Sequence, residues 1–85
     1  MKTIWKYTLN VTNSQSIEIQ KGAFVLTVQL QNKELQLWAL VDPEEKTEHI
    51  HIHIYGTGHP IHKETLEYIS TFQEGSLVFH VFKEF

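Results

Sequence analysis

Five of the six histidines of this 85-residue chain fall between positions 49 and 62, as His49, His51, His53, His59 and His62. The first three alternate with Ile50, Ile52 and Ile54, a strict two-residue period that specifies a β-strand. Residues two apart in a strand share a face at about 6.6–6.8 Å, so the imidazoles line one side and the isoleucines the other. Two such histidines can chelate one zinc ion. All three on a straight strand cannot, because the outer pair stands about 13 Å apart at the backbone. A metal site would need ligands from elsewhere, such as His59, His62, His80 or Asp42. The preferred reading is therefore a core strand seated on its isoleucines with no metal bound, and His49, His51 and His53 as the weaker metal-site alternative. Three adjacent imidazoles would also repel once protonated, which allows a response to acid.

Directly after this strand comes Gly56-Thr57-Gly58-His59-Pro60. It can be read as a backbone nest for an anion, with the Thr57 hydroxyl and the Lys63 charge assisting. It can equally be a tight turn that needs a positive φ at one or both glycines, and the turn is favoured. It lacks the third glycine of a dinucleotide fingerprint and the Gly-Lys-Ser/Thr of a P-loop. His80 lies within Leu77-Val78-Phe79-His80-Val81-Phe82, where a lone histidine is more often a hydrogen-bonded core residue than a ligand. No Ser-His-Asp or Cys-His arrangement and no nucleophile elbow can be assigned, so no enzyme is expected.

The elements that must position these groups are strands. Thr3–Leu9, Ser16–Gln20, Ala23–Gln31, Glu34–Val41, Glu48–Tyr55, Leu66–Gln73 and Ser76–Glu84 read as β, and Glu64–Tyr68 as either one helical turn or the start of a strand. Asn32-Lys33 suits a two-residue hairpin, because asparagine tolerates positive φ. That turn sets Leu30 opposite Leu35, Val28 opposite Leu37, Leu26 opposite Ala39 and Phe24 opposite Val41, all apolar. The reverse face, with Thr27 by Trp38 and Val25 by Leu40, is half apolar and needs a cover. A second hairpin centred on Glu74-Gly75 sets Phe72 opposite Leu77 and Ser70 opposite Phe79. The expected fold is all-β: one domain over residues 1–85, a compact antiparallel sandwich or partly closed barrel of six to seven short strands, with at most one short helical turn.

A chain this short buries about 60–65% of its unfolded surface, so a bound metal, a ligand or another subunit would help its stability. There is no cysteine, which excludes disulfides and thiolate metal sites. The seven basic residues are all lysine, scattered, and the net charge is −3. Arginine is the preferred reader of phosphate and guanine, so DNA and RNA are not expected partners. No apolar run reaches a membrane span, and Met1–Lys6 lacks the features of a signal peptide.

Lys2–Tyr7, Leu37-Trp38-Ala39-Leu40-Val41-Asp42, Gly56-Thr57-Gly58-His59-Pro60-Ile61, Leu66–Gln73 and Leu77–Phe82 together resemble a family of small, uncharacterised proteins of tailed phages and prophages. The likeness spans nearly the whole chain. The histidine row departs from the family pattern. The resemblance implies a phage origin and the host cytoplasm, and it carries no activity. It shifts weight to Trp38, Gly56, Thr57, Gly58, His59 and His80 as a ligand-binding group. The leading expectation is a non-catalytic homo-oligomer without cofactor. It would sequester a nucleotide-like host signal in a pocket at or near a subunit contact and so counter antiphage defence. The alternatives are a protein inhibitor of a host enzyme and an assembly protein with no ligand.

Overall fold

A computed structural model describes residues 1–85. Seven strands follow one another: β1 Thr3–Leu9, β2 Ser14–Gln20, β3 Phe24–Gln31, β4 Glu34–Val41, β5 Thr47–Gly56, β6 Leu66–Glu74 and β7 Leu77–Glu84. They form two antiparallel sheets, ordered β1-β4-β3 and β2-β5-β7-β6. The fold is all-β, as expected, and contains no helical turn: the ambiguous Glu64–Tyr68 segment enters β6 at Leu66. Extents of 40 × 32 × 16 Å mark a flattened sandwich.

Alternation builds the core between the sheets. Leu9, Val28, Leu35, Leu37, Ala39 and Val41 come from one sheet, and Ile19, Ile52, Ile54, Phe72 and Val81 from the other. Ile52 and Ile54 are buried, so β5 is anchored by its isoleucines. Phe72 and Phe79 stack at 5.3 Å.

The β3–β4 hairpin turns on Asn32 and Lys33 with φ of 50° and 68°, the pair of positive values a type I′ turn requires. Leu30↔Leu35, Val28↔Leu37 and Thr27↔Trp38 pair as predicted. Beyond them a bulge at Leu26 shifts the register to Val25↔Ala39 and Phe24↔Leu40. The predicted pairs Leu26/Ala39 and Phe24/Val41 therefore do not form. Leu26 is left exposed, and Phe24 moves to the outward face at 65% exposure. There it lies in a rung with Leu40 and Ile4, next to the rung of Thr27, Trp38 and Lys6.

The second hairpin also differs from expectation. Glu74↔Leu77 closes it, so its turn is Gly75-Ser76, with Gly75 at φ +61°. The slide of two residues keeps every side chain on its predicted face up to a bulge at Ile69. Alternation with buried Phe72 aims Ser70 at the other sheet, and the bulge beyond it leaves Tyr68 exposed. The Ser70 hydroxyl donates to Val28 O at 2.6 Å and accepts from Val28 N at 3.0 Å. Gln29 Nε2 adds a bond to Thr71 O. The β3 edge is thereby tied to the β6 edge, and the sandwich is closed on that side like a barrel.

Strands β5 and β6 both run antiparallel to β7 and hence parallel to each other. The connection between them, residues 57–65, must travel back along the length of β7. It begins with the glycine turn.

Candidate functional site

The turn is built by local chemistry. The His59 amide donates to Gly56 O at 3.1 Å, and Gly58, at φ +89°, occupies the position of a type II turn that needs a positive φ. The Thr57 amide donates to Val78 O at 3.2 Å and fastens the turn to β7. Two amides of the anion-nest alternative are thus already engaged, and the tight-turn reading describes the loop. Gly56 serves a different need. A methyl built on it would come within 3.0 Å of His59 Cε1 and 3.2 Å of Nδ1. The imidazole folds back onto bare backbone, and its nitrogens make no hydrogen bond within the protein.

Two recesses flank that imidazole. The larger, about 440 Å³, is lined by Gly56, Thr57, His59, Ser76, Leu77, Val78 and Phe79. The smaller, about 160 Å³, is lined by Val11, Thr12, Asn13, Ile54, Gly56, His59 and Phe79. Gly56, His59 and Phe79 are common to both. Neither lining contains a lysine, aspartate or glutamate.

Behind the turn, β7 places His80 opposite Tyr55 on one side and Thr71 on the other. His80 Nε2 lies 2.8 Å from Thr57 Oγ1 and Nδ1 3.0 Å from Thr71 Oγ1, which in turn lies 2.8 Å from Tyr68 OH. The neutral ring is satisfied when Thr57 donates to Nε2 and Nδ1–H donates to Thr71. The charged ring is satisfied when Thr57 instead donates to Val78 O, 3.3 Å away. Thr57 and His80 have the spacing of a nucleophile and its base. The third partner is a hydroxyl, which offers no counter-charge to an imidazolium. The arrangement suits His80 to orienting the Thr57 hydroxyl at the mouth of the larger recess.

Gly56, Thr57, Gly58, His59 and His80 are therefore brought together. Trp38 is not among them. Its neighbours Leu37 and Ala39 are buried in the core, so alternation turns the indole outward on the other sheet, beside Lys6 and Thr27.

The histidine row is split by its surroundings. His49 and His51 are exposed, with His49 3.8 Å from Glu18. His53 is only 5% exposed, although it faces away from the isoleucines. Its Nε2 lies 2.9 Å from Glu84 Oε2, and Lys63 reaches Glu84 Oε1 at 3.4 Å. The hydrogen bond to His53 is the largest influence holding the Glu84 carboxyl below its ordinary range; burial opposes it and Lys63 assists. Tyr55, Phe82 and Tyr68 continue this surface edge to face, at 5.8 and 5.7 Å. No three histidine, cysteine, aspartate or glutamate side chains are grouped to hold a metal ion. Glu84 was missed by sequence reasoning, which names no glutamate among the candidate residues. Only the β5–β7 register brings it to His53, and no local signal carries that register.

Fold and site together define a small, helix-free β domain whose chemical groups gather at one end of its larger sheet. The chain belongs to a family described as Domain of unknown function (DUF7352), whose model matches residues 1–85. Neither curated proteins nor solved structures include a match to it. No helix is long and apolar enough to cross a membrane.

Proposed function

We propose that this chain is a small, non-catalytic binding protein that captures a nucleotide-like molecule at the Gly56–His59 turn. The observation that carries this reading is the pair of recesses around an imidazole with no partner in the protein, with Thr57 held in orientation by His80. Their sizes, taken together, reach the range of small-molecule sites, and apolar walls with a few polar groups are the usual composition of such sites. Under the phage resemblance, the captured molecule is a signal made by the host in antiphage defence, and the protein acts in the host cytoplasm. Both recesses are open, so a second copy packed over them would complete the enclosure. Differential scanning with cyclic dinucleotides and ADP-ribose isomers tests the reading, with a rise in melting temperature expected for at least one. Flat traces at high ligand concentration would exclude these signals, and the same silence with nucleosides and mononucleotides would reject the reading.

A second reading rests on a different surface. Ile4 and Phe24, at 56% and 65% exposure, form with Leu40 an apolar rung beside Trp38 on the outward face of the three-stranded sheet. Such a face favours a protein partner, which would make the chain an inhibitor or an assembly component. Phe24→Ser should abolish capture of a host protein if this surface is used. Unchanged capture would exclude it.

A further inference from the structure

We propose that the ligand class of the Gly56–His59 site is an uncharged, flat heterocycle with N–H donors, a nucleobase or nucleoside, held across both recesses by His59 rather than by a phosphate contact. This rests on the reading above and specifies it.

Three observations carry the inference. The first is charge. No lysine lines either recess, and the Thr57 and His59 amides are spent on Val78 O and Gly56 O. A phosphate would find neither a lysine nor those backbone donors, while its desolvation would still cost energy. The second is shape. Leu77, Val78 and Phe79 wall the larger recess, Val11 and Ile54 the smaller, and Phe79 extends through both. A planar ring can lie against such walls. A tetrahedral anion cannot use them.

The third is the polarity of the rim. When Thr57 donates to His80, its hydroxyl offers the recess only lone pairs, which suits a ligand N–H. His59 sits on the boundary between the recesses with one donor and one acceptor unused. The Ser76 hydroxyl can supply either role. Acceptor, donor and acceptor around an apolar slot complement the mixed edge of a nucleobase. His59 holds its place only because Gly56 has no side chain for the ring to strike.

The test is a titration of ¹⁵N-labelled protein with adenosine, guanosine and uridine, and in parallel with their 5′-monophosphates. At least one nucleoside should shift the amides of Gly56–His59 and Leu77–Phe79. The matching monophosphate should bind no more tightly. Gly56→Ala and His59→Ala should each weaken nucleoside binding about fivefold or more, with the β1, β3 and β4 amides unmoved as proof of folding. Adding Gly56→Ala to His59→Ala should bring no further loss if the methyl acts only by displacing the imidazole. Shifts with monophosphates alone would overturn this inference and leave the wider reading standing. Wild-type affinity in both single variants would overturn it as well. Silence with every nucleoside, nucleotide, cyclic dinucleotide and ADP-ribose isomer would overturn both.

Discussion

Ser70→Ala is the sharpest probe of how this domain holds together. Val28 pairs with Leu37 across the hairpin, yet its own amide and carbonyl point away from that partner, toward the second sheet. Both are met by one hydroxyl. Val28 has no solvent exposure and Ser70 only 8%, so water cannot replace the hydroxyl without opening the seam. Each buried group left unpaired costs about 1–3 kcal/mol, and relaxation of the β3 edge recovers part of the sum, so the net loss should be about 2–4 kcal/mol. A domain of this length is stable by roughly 4–13 kcal/mol, so the change is a large fraction of the total. It corresponds to a fall in melting temperature of about 10–25 °C. Urea unfolding gives the free energy. Hydrogen exchange at the Val28 amide gives the location, because that amide should lose its protection beyond the global effect. A loss under about 0.5 kcal/mol, with Val28 still protected, would refute the claim that Ser70 closes the sandwich.

Other consequences are open to direct measurement. Leu37→Ala should cost about 2–5 kcal/mol, whereas Leu26→Ser should cost under about 1 kcal/mol because the bulge has already turned Leu26 out; similar losses in urea unfolding would restore the unbulged register. Lys33→Gly should stabilise by about 0.5–1 kcal/mol, since a lysine at φ 68° carries strain that glycine does not; calorimetry reads the shift. Glu84 has a folded pKa below its ordinary 4.5, so its contribution to stability is present above that value and is lost as pH falls through the lowered one. Glu84→Gln should flatten that acid limb of a plot of urea midpoint against pH, and an unaltered limb would assign it to other carboxylates.

Which parts of this structure could be read from the chain depends on the distance over which each was decided. Asn32-Lys33 fixed its hairpin because turn and register are one local choice. The same register failed at the Leu26 bulge, on a strand whose edge is tied to β6 through Val28 and Ser70, 42 positions apart in sequence. The Gly75-Ser76 turn escaped because a slide of two residues leaves the alternation of faces intact, and hydrophobic pattern cannot detect it. Gly56–His59 was legible through glycine and proline chemistry. Its link to His80 was not, because β7 inserts between β5 and β6 and nothing near Thr57 announces that partner. Alternation placed Trp38 outward correctly within its strand. It could not say to which sheet that strand belongs.

The place of β7 between β5 and β6 has a consequence for the order in which the molecule assembles. As the chain is synthesised, β1 to β4 can complete their sheet while the second holds only β2 and β5. When β6 emerges it has no neighbour in its own sheet, and its only strand contact is the β3 edge through Ser70. Until β7 arrives, the edges of β5 and β6 stand open with Ile54 and Phe72 uncovered between them. The seventh of these strands is thus the one that locks the larger sheet, and the nascent sheet is most exposed to wrong pairing just before it arrives. Mutations in β7 should therefore reduce the yield of folded protein more than their effect on final stability would indicate.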